Sequence, residues 1–257
     1  MTRPEGMSTK AITYLGHATT LLQVGGLKLF TDPHFGRRAW CARRKQPVPV
    51  PPETLPEPDA ILISHAHHDH LDLHTYKYFS SHVPVIVPMG LAKLLEKFIC
   101  NPIIELKEGA PWQNGAVTIR AVRAYHHGGR FSQLRYCESA GYLIETGTER
   151  IYFAGDTAYR EDLAEIRLRG PIDVALLPIG PVFPRFIMRR RHLDPDKALR
   201  LAEELDTACM IPIHWGLFRL GFEGAATPLH WLKGRLADSP IADRVRILQP
   251  GEHLVLD

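Results

Sequence analysis

The sequence predicts a mixed α/β (or α+β) fold in which sheet layers are covered by helices. Short apolar strands alternate with helical stretches along the 257 residues, the pattern such layered folds share. A hairpin plan also occurs twice. LKLFTDP ends on an acid at Asp32 and RIYFAGDT on another at Asp156, so two related β-rich halves should face each other with the C-terminal ends of their strands at a common edge.

The elements follow in order. From Ile12 the run TYLGHATTLLQV alternates loosely, Gly25-Gly26 supplies a turn and LKLFTDP follows, which reads as a hairpin finishing on Asp32. Residues 33–58 have no period and are rich in Arg and Pro. A long surface loop is expected there, and loops of that length are usually functional or mobile. Residues 60–64 make a short buried strand. Helical spacing marks 90–100, IIEL reads as a strand, and VTIRAVRAYHH alternates before a second histidine pair. GYLIET, the turn GTE and RIYFAGDT form the second hairpin; a helix over 158–168 and the apolar strand IDVALLPIG come next. PVFPRFIMRRRH interrupts. Asp194 is then an N-cap with Pro195 at the first helical position, and Ala198, Leu201, Ala202 and Leu205 supply the apolar face of the helix. That helix leads to the strand CMIPIHWG, and RVRILQPGEHLVLD closes the fold through a Pro-Gly turn.

Composition narrows the function classes. A hydrophobic content of 45% is ordinary for a soluble globular chain, and the longest apolar runs, such as 83–88 and 174–179, fall far short of the roughly 18 residues of a membrane span. The N-terminal stretch lacks the apolar segment of a secretory signal, so a cytoplasmic protein is expected, with peripheral membrane contact as the alternative. A formal net charge of +3 is too mild to imply nucleic-acid binding, and none is expected. Cys41, Cys100, Cys137 and Cys209 are widely spaced without a Cys-x-x-Cys pair, which reads as reduced thiols.

The chemistry concentrates in ILISHAHHDHLD, where His65, His67, Asp69 and His70 directly follow the buried strand. Crowded imidazoles and carboxylates repel or lose hydration, so a cation is the expected partner. His65-x-His67 can aim both rings one way, since side chains repeat every second residue in extended chain. Asp69 and His70, one turn on, can serve a second ion. Further ligands must come from the strand ends: His126 or His127, Asp156 and His214. Asp32 is expected to hydrogen-bond the ligand loop rather than bind metal, and His17 to be structural. His34, His74, His82, His230 and His253 read as surface or packing residues.

The segments YLGHATTLL, FTDP, ISHAHHDHLD, YFAGDTAY, LPIGPVFPRFIMRRRHLDP and IPIHWG, spanning residues 14–216, resemble in that order the metallo-β-lactamase superfamily and, within it, the N-acylphosphatidylethanolamine-hydrolysing phospholipase D branch. The resemblance implies a single hydrolase domain over 1–257 with a four-layer αββα sandwich. By position it assigns His65, His67 and His126 to one ion, Asp69, His70 and His214 to the other, and Asp156 to both. His126 is chosen over His127 by the family register of Ala124-Tyr125, although the family usually has an aromatic residue where His127 stands; His68 should point away. Five histidines and two carboxylates without a thiolate suit two zinc ions, and iron or manganese accept the same donors.

The implied activity is that of a dinuclear metal-dependent phosphodiesterase of phospholipase D type, with a metal-bridged hydroxide as nucleophile oriented by Asp69. His192 lies either in solvent between the arginine run and the N-cap, or beside the scissile bond as its HxDP match implies. The basic runs 37–38, 43–45 and 189–191, interleaved with Phe35, Trp40, Phe183 and Phe186, are either merely solvated faces or rim the pocket, engage phosphate and rest on an anionic lipid surface; the second reading is preferred for 183–191, with Phe183, Arg185, Phe186 and Arg189 as the substrate residues. The substrate is then a small-molecule or phospholipid ester. Two other readings stand: a sugar-phosphate lactonase, which needs the same ions and arginines, and a non-catalytic metal-stabilised binding protein, against which a second ion with a bridging acid argues.

Overall fold

A computed structural model describes residues 10–130 and 137–256; the N-terminal stretch just discussed falls, up to residue 9, outside the described residues. Chain order gives β1 (Ala11–Gly16), β2 (Thr19–Val24), β3 (Leu27–Thr31), the two-residue strands β4 (Arg38–Ala39) and β5 (Ala42–Arg43), β6 (Ala60–Leu62) and β7 (Val85–Pro88). There follow α1 (Ala92–Leu95), β8 (Ile103–Leu106), β9 (Pro111–Asn114), β10 (Val117–Arg123), β11 (Ala140–Glu145), β12 (Arg150–Phe153) and β13 (Val174–Pro178). The last elements are α2 (Arg185–Met188), α3 (Pro195–Glu204), β14 (Cys209–Ile213), α4 (Thr227–Leu236) and β15 (His253–Val255).

Two large sheets result, in the orders β15-β1-β2-β3-β6-β7-β8 and β14-β13-β12-β11-β10-β9, beside the small β4-β5 pair. Each half follows one plan. An antiparallel hairpin, β2–β3 or β11–β12, passes its last strand to parallel partners, β6 and β7 or β13 and β14. Parallel strands end at the same edge, so the loops after β3, β6, β12 and β14 gather there.

Period-2 alternation sorts the side chains between layers. Leu29, Ala60, Leu62 and Ile86 join Ile119, Tyr142 and Ile144 in the core between the sheets. Their neighbours Phe30, Ile61, Val85 and Val87 turn outward under Tyr76, Phe79, Leu91 and Leu94, which cover the first sheet. On the second sheet α3 packs against β13 and α4, with Ala198, Leu201, Ala202 and Leu205 buried as its stripe requires. The architecture is the four-layer αββα sandwich. Asp194 caps α3, its carboxylate accepting from the Lys197 N–H at 3.0 Å.

Several elements differ from the sequence reading. The first run is two strands, broken at 17–18, so the hairpin is a three-stranded meander. The long loop contains the β4–β5 hairpin. The helix expected over 158–168 is a 3₁₀ run, Glu161–Arg169, in which Leu163 alone is buried, too little apolar surface to hold a 3.6-residue stripe. The helix expected over 90–100 keeps regular α geometry for only one turn, and α4 has no counterpart in the reading.

Gly155 shows how tightly the common edge is built. At φ +58° a Cβ there would lie 2.5 Å from the Ser64 Cβ. Gly155→Ala is expected to destabilise the protein by about 1–3 kcal/mol through overpacking alone, with the left-handed backbone adding to it; urea unfolding checks this, and a loss below about 0.5 kcal/mol would contradict it.

Candidate metal centre

The chain leaves β6 at the common edge and presents His65, His67, Asp69 and His70 within six residues. Two groups of candidate ligands form around them. His65 and His67 meet His126, which follows β10, and Asp156, which follows β12; Asp69 and His70 meet His214, which follows β14, and His17 from the β1–β2 corner. Within each group the donor atoms lie within 4.8 Å of one another. Asp156 touches both. Its Oδ2 is 3.9 Å from His65 Nε2, 3.8 Å from His126 Nε2 and 3.4 Å from His70 Nε2, and its Oδ1 is 3.3 Å from His214 Nε2.

Do these residues fit a cation? His70 Nε2 and His214 Nε2 are 3.1 Å apart, as are His67 Nδ1 and His126 Nε2. Tetrahedral nitrogens about 2.0–2.1 Å from zinc would stand about 3.3 Å from each other. His65 Nε2 and Asp156 Oδ1 are buried without a hydrogen-bond partner, a costly state unless something positive joins them. The outer nitrogens, by contrast, are held. His65 Nδ1–H points to Ser64 Oγ (2.9 Å), His70 Nδ1–H donates to Asp32 Oδ2 (2.6 Å) and His126 Nδ1–H to the Arg191 carbonyl (2.8 Å). Such partners set the tautomer and leave Nε2 free as a donor to metal. Asp32 is thus tied to the ligand loop, as expected, and also accepts from Ser64 N–H and Oγ–H.

The electrostatics agree. Burial pushes the pKa of His126 down to about 3 and of His67 down to about 4, keeping both neutral. Burial also opposes charge on His214, but Asp156 and Asp69 outweigh it and push the pKa up to about 9. Burial would raise the Asp156 carboxyl, yet His214, His70 and His192 hold it well below the usual range. Two anionic carboxylates therefore demand positive charge, supplied by protons or by metal, and acid competes with metal for the site. His17 (φ +58°), Asp32 (φ +35°) and His214 (φ +64°) all adopt left-handed backbone, a strain that clusters at functional sites.

A family profile described as "Beta-lactamase superfamily domain" matches residues 28–215. The chain belongs to the metallo-β-lactamase superfamily. Within it the similarity runs to the N-acylphosphatidylethanolamine-hydrolysing branch: "N-acyl-phosphatidylethanolamine-hydrolyzing phospholipase D 1" of Caenorhabditis elegans is 34% identical over 81% of this chain and 64% of its own length. A "UPF0173 metal-dependent hydrolase" of Aeropyrum pernix is 31% identical over 96% of this chain and 97% of its own. The solved structure of Igni18, a metallo hydrolase from Ignicoccus hospitalis, shares the fold with a TM-score of 0.74 at 21% identity, covering 97% of this chain and 99% of that one. The superfamily is one of metal-dependent hydrolases.

On this superfamily scaffold His192 is not in open solvent. Its Nδ1 lies 3.3 Å from Asp156 Oδ2 and its ring 4.8 Å from that of His126. His126 rather than His127 joins the first group, and His68 and His127 are exposed. His34 is buried against Phe218, with ring centroids 5.0 Å apart, whereas His74, His82, His230 and His253 are exposed. The four cysteines are unpaired.

His17 is where sequence reasoning missed a site residue. Its Nε2 stands 2.9 Å from Asp69 Oδ2, its ring packs 3.8 Å from that of His214, and its carbonyl accepts from the His214 N–H at 2.8 Å. The signal available was GHATT at a strand break. His17→Ala is expected to weaken metal at the Asp69 group by about 10- to 100-fold, the usual effect of losing a ligand's partner. Zinc titration against a chelator checks this; unchanged affinity at both sites would contradict it.

The expected substrate residues lie together: Phe183, Arg185, Phe186 and Arg189 are exposed on or beside α2. Arg185 also pairs with Asp194 at 3.5 Å and lies 4.7 Å over the Trp231 ring, with its side chain still 55% exposed. The cavity that reaches His67 and Asp69 is lined instead by residues of the β4–β5 hairpin and by Arg130, Arg219 and Leu220. Trp40 stands among the basic runs that could rim a pocket, whereas nothing in the spacing of Arg130, Arg219 and Leu220 marked them, because they come from loops that only folding brings together.

Proposed function

We propose that the chain is a dinuclear, zinc-dependent hydrolase of phosphodiesters, of phospholipase D type. The observation that carries this reading is the carboxylate of Asp156 lying between two complete His/Asp groups; a structural zinc site needs four ligands and no second group. Similarity to the phospholipase D of Caenorhabditis elegans supports the substrate class. When bound, two divalent cations supply a water of lowered pKa and neutralise charge on the attacked and departing oxygens. The chain's own residues do the rest. Asp69, held by His17, orients the attacking water. His192, beside Asp156 and 12% exposed, gives a proton to the departing oxygen or holds the phosphate. Exposed Phe183, Phe186 and Ile187, followed by Arg189, Arg190 and Arg191, form an apolar and basic rim suited to peripheral contact with an anionic membrane. No helix among the described residues is long and apolar enough to cross one.

The test is a screen of the purified protein, loaded with zinc, iron or manganese, against phosphodiesters and lactones in parallel. Diester turnover with two metal ions per chain is the expected result. Turnover of lactones alone would reject the phosphodiesterase reading.

A further inference from the structure

Of the basic runs, 189–191 belongs to the rim already described, whereas 37–38 and 43–45 have no part in it. They meet at the base of the β4–β5 hairpin, where Arg37, Arg38, Arg43, Arg44 and Lys45 line a cleft of about 650 Å3. This cleft is separate from the metal centre. None of its lining residues belongs to either ligand group, and the cavity that reaches His67 and Asp69 takes from the hairpin only residues 39–42.

The hairpin holds these cations together where simple solvation would let them part. Arg38 and Arg43 are direct partners in the β4–β5 ladder, and like charges directly opposite one another destabilise a strand pair. Arg37 and Arg44 are joined just outside it, the Arg44 N–H donating to the Arg37 carbonyl at 2.9 Å. The base is also fixed to the body of the fold: Ala39 is buried with Leu217 and Phe218, and the Lys45 N–H donates to the Leu217 carbonyl at 2.8 Å.

Little negative charge offsets the cluster. The ion pairs of Lys and Arg among the described residues all lie elsewhere, so Arg37, Arg38, Arg43 and Lys45 have no carboxylate partner there. Arg44 is partly occupied by the fold. Its Nε donates to the Gly36 carbonyl at 2.9 Å and its Nη2 to the His34 carbonyl, while Nη1 is buried without an acceptor. Burial pushes its pKa down to about 10 against the pull of Asp72, so this charge is under-compensated as well.

We propose that the cleft binds a small soluble ligand bearing two or three clustered phosphates. A phosphate monoester carries about −1.5 to −2 near neutral pH, so the four unpaired cations match at least two such groups; a single one would leave arginines still facing each other. Guanidinium forks take phosphate oxygens in pairs, and the cleft has the size of a small-molecule site. The proposal does not rest on the phosphodiesterase reading.

Calorimetry on the metal-loaded protein tests it, with inositol trisphosphate and inorganic phosphate as probes at one ionic strength. The trisphosphate is expected to bind at least about thirtyfold more tightly than inorganic phosphate. Arg38→Gln/Arg43→Gln should weaken it at least about tenfold. Arg167→Gln/Arg169→Gln, which removes the same charge from exposed positions elsewhere, should change it less than about twofold. Circular dichroism checks the fold of each, and Arg37→Gln/Lys45→Gln, exposed and outside the ladder, replaces the first variant should that one not fold. Unchanged affinity in the cleft variants would place the probe at the metals and overturn the proposal; an equal loss in the control would reduce the effect to net charge and overturn it too. Binding to phosphatidylcholine vesicles containing phosphatidylserine, with none to the soluble trisphosphate, would make the cleft a membrane contact instead.

Discussion

Asp156→Asn is expected to lower kcat/KM by more than about 100-fold, beyond what loss of an outer partner of a ligand typically costs, and to leave fewer than two metal ions per chain. The amide keeps the shape of the side chain and removes the charge. That charge is central: one carboxylate faces His65, His70, His126, His192 and His214 at 3.3–3.9 Å. A neutral amide would present either one acceptor or an N–H to rings that need an anion, and the two groups would lose their shared donor. Metal analysis, steady-state kinetics and circular dichroism on the same sample separate loss of metal from loss of fold. Two retained ions with activity within a few-fold of the parent would reject the two-metal mechanism. His70→Ala, which removes a donor from the second group alone, should bring the metal count towards one.

Asp32→Ala has the second large effect, on stability and metal affinity together. Asp32 is fully buried and accepts from Ser64 N–H (2.7 Å), Ser64 Oγ–H (2.6 Å) and His70 Nδ1–H (2.6 Å). Alanine would leave those donors unpaired in the interior, and breaking such a buried charged network costs about 3–5 kcal/mol. His70 would also lose the bond that fixes its tautomer, for about 10- to 100-fold in metal affinity. Urea unfolding of the metal-free protein and zinc competition against a chelator measure the two separately. A stability change under about 1 kcal/mol with unchanged zinc affinity would refute the role assigned to Asp32.

Much of this centre was legible beforehand because its candidate ligands sit where strands end. His65, His67, Asp69 and His70 are contiguous, and His126, Asp156 and His214 each follow an apolar or alternating run, so a shared sheet edge brings them together with little further information. The same logic found Asp32, one residue beyond β3. It passed over His17, which stands not at the end of a hairpin but in a break within one, at a left-handed residue that alternation cannot reveal. For Arg185, ahead of the arginine run, folding adds contacts with Asp194 and with the Trp231 ring, a partner from α4, that no local pattern announces. The helix expected over 158–168 failed on packing: a single buried residue cannot stabilise an α-helix against the tighter 3₁₀ turn.

The order and period of residues alone determined the layered α/β class, the doubled hairpin plan with its terminal acids and a pool of ligand candidates at strand ends, with the choice of His126 over His127 resting on the family resemblance, because alternation and strand ends are properties of a local stretch of chain. Only the tertiary structure decided that His17 holds Asp69, that His192 stands against Asp156, and that Trp40, Leu220 and Arg219 enclose a cavity at the metal centre. Those groupings bring together residues as much as 180 positions apart by sequence (Trp40 and Leu220, which line one cavity), and such neighbours are chosen by how the sheets and loops pack rather than by any pattern along the chain.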